Sequence, residues 1–157
     1  MTKPAPDGRK VVARNRKALH EYEVLDRWEA GLVLSGPEVK SIRAGRVNLV
    51  DSFGRIEGGE VWLHNMHVSP YDPAGAWDRP DPRRARKVLM QKRQIRKLIG
   101  AVQEKGLTLV PLDLYFSRGL VKMTLALARG KRLHDKRQAL KRKAADREVE
   151  RAFKELP

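Results

Sequence analysis

Apolar and polar positions alternate twice between residues 107 and 128: Val110, Leu112, Leu114 and Phe116 share one phase, and Val121, Met123, Leu125 and Leu127 share the next. A period of two puts each set on one face of a strand, so the pattern predicts two strands joined by a turn at Ser117-Arg118-Gly119. Upstream, NLVDSFGRIE (48–57) and EVWLHNMHV (60–68) flank Gly58-Gly59, a dipeptide suited to the positive φ of a tight hairpin. His20 to Leu34 reads as one long strand bent at Gly31. Ser35-Gly36-Pro37-Glu38 is a capping pattern with proline in the first turn, and Val39 and Ile42 follow at helical spacing, so a short helix should end at Gly45. Val88, Ile95, Leu98, Ile99 and Val102 predict a second helix, running to Gly106 with a basic opposite face. Between these, residues 69–86 carry Pro70, Pro73, Pro80, Pro82 and Gly75 and should form a surface loop. Three strands, a helix and two more strands give a mainly β fold with helices, in the element order of a closed Greek-key barrel of the oligonucleotide-binding type.

The ends read differently. Residues 1–14 hold two prolines and a glycine among few apolar positions and predict a flexible basic arm, leaving 15–129 for the barrel. Residues 130–157 form a basic tail; from Arg129 onward the chain has eleven Lys or Arg against five Asp or Glu. Leu140, Ala144, Ala145, Val149, Ala152, Phe153 and Leu156 fall near helical spacing, but so charged a segment is a marginal helix in water, so the tail should be disordered alone and helical when bound.

Charge then points to a partner. In 157 residues, 34 Lys or Arg oppose 19 Asp or Glu, a formal net charge of +15 that favours a polyanion, above all nucleic acid. No apolar run approaches the roughly 18–20 residues of a membrane span. The absence of cysteine excludes disulfides, zinc ribbons, iron–sulfur clusters and thiol nucleophiles, and with a polar N-terminal stretch it predicts a cytoplasmic protein. The histidines are His20, His64, His67 and His134; an offset of three on a strand sends His64 and His67 to opposite faces, so no metal site is expected. Gly130-Lys131 lacks the following Ser or Thr of a phosphate loop. Neither a catalytic constellation nor a cofactor is expected.

The segment Arg79–Lys97 offers Arg83, Arg84, Arg86, Lys87, Lys92, Arg93, Arg96 and Lys97 for phosphate contact, against the plainer reading of a solvated charged face. Tyr22, Trp28, Trp62, Tyr71 and Trp77 could stack on bases, although Trp28 and Trp62 on strands are expected to fill the barrel. The polar islands Asn15-Arg16-Lys17 and Glu38-Val39-Lys40-Ser41 are better recognition candidates. On residues alone, an rRNA-binding ribosomal or ribosome-assembly protein is the alternative reading.

The strings NRKALHEYEV (15–24), EAGLVLSGPEVKSIRAGRVNLVDSF (29–53), RKVL (86–89) and GKRLHDKR (130–137) resemble the SsrA-binding protein (SmpB) family, in order and at family spacing. The resemblance implies an oligonucleotide-binding barrel that holds the tRNA-like domain of transfer-messenger RNA and brings it to stalled ribosomes for trans-translation and tagging of incomplete peptides. It implies no catalysis and no cofactor; elongation factor Tu and alanyl-tRNA synthetase would connect only through the RNA. Glu29, Leu89 and Gln91 match positions the family uses to hold RNA, and Gly130 matches a glycine at the barrel exit. Asn15, Arg16, Lys17 and His20, the helix residues Glu38, Lys40 and Arg43, and Arg86 and Lys87 of RKVL fall on the RNA side. His134, Asp135, Lys136 and Arg137 look like the part that enters the small-subunit decoding centre, with residues beyond Lys141 in the message channel. Three features depart from the pattern: Gln91 where Asn or His is commoner, Pro37 in the helix-opening motif, and a 72–82 loop without an Asn-His pair.

Overall fold

The computed structural model describes residues 9–71, 81–103 and 106–131. In these residues the chain runs β1 (Lys10–Arg14), α1 (Arg16–Glu21), β2 (Tyr22–Leu32), α2 (Gly36–Arg43), β3 (Val47–Asn48), β4 (Phe53–Glu57), β5 (Glu60–His64), β6 (His67–Val68), β7 (Arg86–Leu89), α3 (Lys92–Val102), β8 (Leu107–Ser117) and β9 (Leu120–Gly130).

Seven strands join in the order β1-β8-β4-β5-β7-β2-β9, and β8 also pairs with β9, which closes the sheet into a ring. β9 runs along one edge of β8 from Leu107 to Ser117. The other edge is shared: Gly54 of β4 meets Leu109, and β1 meets the stretch from Asp113 to Phe116. A Cβ at Gly54 would lie 2.8 Å from the Leu109 Cβ, so the contact of β4 with β8 requires glycine. Leu114 and Phe116 of the first alternating set and Val121, Met123, Leu125 and Leu127 of the second face the barrel, where Leu109, Val61, Leu63 and Val88 complete the core. A register shift between Pro111 and Asp113 turns Val110 and Leu112, expected on the same face as Leu114, to the outside. α3 closes it with Ile95 and Leu98. A smaller cluster of Ala18, Val110, Leu112, Ala126 and Ala128 lets α1 sit close against the outside of β8 and β9.

The capped helix is as its sequence predicts: the Ser35 hydroxyl accepts from the Glu38 N–H, the Glu38 carboxylate accepts from the Ser35 N–H, and Gly45 follows the last turn at φ 78°. So are both hairpins, turning at Gly58 and Gly59 (φ 60° and 77°) and at Arg118 and Gly119 (φ 52° and 78°).

Five features differ from expectation. Residues 10–14, expected in the flexible arm, form a strand, because Val11 is buried and the backbone of Lys10–Arg14 takes up the β8 edge that β4 leaves free. The predicted strand from His20 begins only at Tyr22, since Asn15 caps α1 just before it. The ladder irregularity in β2 falls between Val24 and Asp26 rather than at Gly31. The strands around Gly58-Gly59 are shorter than their apolar runs; Asp51 and Asn65 at φ 63° and 66° break them, and β3 and β6 pair separately. Finally, Arg86–Leu89 is a strand between β5 and β2, so Val88 belongs to the sheet and α3 starts at Lys92. Its in-out alternation is hidden in the sequence because one inward position is an arginine.

Candidate nucleic-acid interface

Where β2, β7 and β9 run side by side, Gly31 pairs with Leu89 on one side and Lys122 on the other. A Cβ there would stand 3.3 Å from the Leu89 Cβ and 3.8 Å from the Lys122 Nζ, so glycine keeps the space between them open. That space is part of an open groove of about 650 Å³, lined by Glu29, Lys87, Leu89, Gln91, Lys92 and Lys122 among others. Five of the sequence candidates, Glu29, Lys87, Leu89, Gln91 and Lys92, therefore meet in one place, although they come from two separate stretches of chain. Leu89 is half exposed, which removes core packing as its explanation and leaves an apolar surface among cations. Gln91 sits at the N-cap of α3 with its amide exposed, and Gln94 Oε1 accepts from its backbone N–H at 3.1 Å.

Glu29 is set from below. The buried Tyr115 hydroxyl donates to Glu29 Oε2, and the Arg9 guanidinium lies 3.5 Å from the same oxygen and 4.8 Å above the Tyr115 ring. Burial and then the bond to Glu29 push the Tyr115 phenol well above its ordinary pKa, so it stays a donor at neutral pH. A carboxylate accepts hydrogen bonds and repels phosphate, so Glu29 is suited to base or ribose donors, while Lys87, Lys92 and Lys122 are suited to the backbone.

Three other candidates are withdrawn from solvent. Asn15 is 2% exposed: its Oδ1 accepts from the Ala18 N–H, and its Nδ2 donates to the carbonyls of Leu49 (3.2 Å) and Pro111 (2.9 Å). Glu38 and Arg86 are 2% and 0% exposed and bind each other, with Arg86 Nε 2.7 Å from Glu38 Oε2. Arg84 also donates to Glu38, and Arg86 donates to the carbonyls of Met66 and Pro82. Burial alone would push the Glu38 carboxyl up, but bonds from Arg84, the Ser35 N–H and Arg86 outweigh it and hold the carboxyl below its ordinary value. Burial likewise lowers the Arg86 guanidinium, against the opposing pull of Glu38. Glu38 and Arg86 thus tie α2 to β7, and Asn15 ties α1 to β8 and the Leu49 carbonyl.

The remaining candidates lie elsewhere. Arg16 and Lys17 are exposed on α1, with Lys17 Nζ 3.0 Å from Asp51 Oδ1, a contact that raises its pKa. His20 is half-buried in the last turn, and Gly130 pairs with Tyr22 beside it. This end of β2 is separated from Gly31 by nine residues, roughly 25–30 Å along the strand. Lys40 and Arg43 are exposed on α2, over the rings of Tyr71 (5.5 Å) and Phe116 (5.1 Å). His134, Asp135, Lys136 and Arg137, with Trp77 and most of the tail, lie outside the described residues.

Sequence reasoning missed Lys122, Tyr115 and Arg9. Lys122 could have been found, because it occupies the outward phase between Val121 and Met123. The pairing of Tyr115 with Glu29 spans 86 residues and leaves no local signal.

A closed barrel carrying a cation-lined groove with an acidic rim and an exposed leucine defines a nucleic-acid-binding protein of the oligonucleotide-binding class. Residues 12–155 match the SmpB protein family model, and the chain belongs to that family. It is 56% identical over 149 residues to the SsrA-binding protein of Thermosynechococcus vestitus, covering 95% of this chain and 98% of that one. It is 54% identical over 145 residues to that of Carboxydothermus hydrogenoformans, covering 92% and 97%. A solved chain from "tmRNA-SmpB: a journey to the center of the bacterial ribosome" is similar at a TM-score of 0.65 and 49% identity, covering 82% of this chain and 93% of that one.

Proposed function

We propose that this protein is an RNA-binding adaptor that holds the tRNA-like domain of transfer-messenger RNA and delivers it to stalled ribosomes for trans-translation. The observation that carries the reading is the convergence of Glu29, Leu89 and Gln91 on one groove flanked by Lys87, Lys92 and Lys122. Lysines hold the backbone, and the carboxylate, amide and leucine discriminate among what the backbone presents. The protein performs no chemical step itself and works in the cytoplasm, and the segment with His134, Asp135, Lys136 and Arg137 acts in the decoding centre.

Titration against the tRNA-like domain, ordinary tRNA and an unrelated duplex at several salt concentrations tests this. The tRNA-like domain should keep a clear advantage at high salt, where lysine–phosphate attraction fades. If all three weaken together along one slope, the protein is a nonspecific basic binder. A preference for rRNA would favour a ribosome-assembly role.

A further inference from the structure

The outward face of β4, β5 and β7 carries a pattern that the groove does not absorb. Register places Arg55, Trp62 and Lys87 in one row across the three strands. Val61 and Leu63 are fully buried, so Glu60, Trp62 and His64 take the outward phase of β5. Trp62 is only half-buried and lies outside both apolar clusters, whereas Trp28 packs against the main core. The expectation that both tryptophans fill the barrel therefore holds for Trp28 and fails for Trp62. One row further, about 6.7 Å along the strands, Phe53 and His64 stack with centroids 5.4 Å apart and planes at 13°. The Arg55 guanidinium sits 5.6 Å above the Phe53 ring.

We propose that this face is a second stacking subsite for the same RNA, with Trp62 as the platform for an unstacked base and Arg55 and Lys87 as partners of the flanking phosphates. The proposal rests on the RNA-binding reading and extends it to residues outside the groove's recognition set. Lys87 belongs to both the row and the groove, so the two surfaces are continuous. The ion pairs of these cations are long and exposed, Arg55 to Glu57 at 3.8 Å and Lys87 to Glu60 at 3.9 Å, and a phosphate can displace them readily. An indole between two cations is suited to a base with a phosphate on either side.

The test uses the full-length protein and the tRNA-like domain over a salt series. Trp62→Leu should weaken binding roughly ten- to hundredfold with an unchanged salt slope, and Trp62→Phe should recover most of that loss. Arg55→Gln should lower the slope by about one. With Trp28 and Trp77 both replaced by Phe, the remaining Trp62 emission should change on saturation with RNA, a readout that does not depend on the Leu variant folding. Wild-type affinity in Trp62→Leu, or Trp62 emission unmoved at saturation, overturns the subsite alone. If wild-type protein shows no preference for the tRNA-like domain, the parent reading falls and takes the subsite with it.

Discussion

Asn15 shows how a residue can look like a contact and be a brace. Its amide caps α1 and satisfies two buried carbonyls from distant parts of the chain, Leu49 and Pro111. Asn15→Ala should therefore cost about 2–4 kcal/mol in denaturant unfolding, a lost cap plus two buried acceptors, while the folded variant binds RNA as wild type does. A folded Asn15→Ala protein with reduced affinity would return the residue to the interface. Glu29 should behave oppositely. Its carboxylate is half exposed and held by Tyr115, so Glu29→Ala should weaken binding to the tRNA-like domain with little change in unfolding midpoint. Sequence could flag both residues but could not separate them, because the distinction lies in what the folded chain places above each side chain.

At the scale of elements, the existence of β8, the single phase of β9, the capped α2 and the glycine turns were legible, since each is set by neighbours in sequence, whereas the slip of phase in β8 between Pro111 and Asp113 was not. α1, β1 and β7 were not. Six-residue α1 depends on a cap whose partners are remote, β1 exists because β8 has a spare edge, and β7 buries an arginine that Glu38 and the carbonyls of Met66 and Pro82 make tolerable. The Glu38–Arg84–Arg86 cluster has a pH signature. Its carboxyl pKa lies below the ordinary 4.5 in the folded protein, so the unfolded chain binds the extra proton and stability falls as pH drops through and below that value. Wild-type unfolding midpoints should decline from about pH 4.5 downward for this reason. Glu38→Gln should lose about 3–5 kcal/mol at pH 7, where two arginines lose their carboxylate, and show a flatter acid limb. An acid limb unchanged by the substitution would remove the cluster from this role.

For the whole molecule, closure and separation matter most. β4 joins β8 where Gly54 passes Leu109, and Gly54→Ala should destabilise the protein by about 1–3 kcal/mol through overpacking at that seam, measurable by thermal unfolding. Gly31 and Tyr22 mark opposite ends of the pairing between β2 and β9, with the proposed RNA groove at the first and Gly130, the last residue of β9, at the second. On the proposed reading, the barrel holds RNA at the Gly31 end and the segment following Gly130 acts in the decoding centre. The direct test replaces Asp135, Lys136 and Arg137 together with alanine in the full chain, then measures both affinity for the isolated tRNA-like domain and peptide tagging on stalled ribosomes. Affinity close to wild type with tagging abolished is the predicted result; a parallel loss of both would contradict the division between groove and tail.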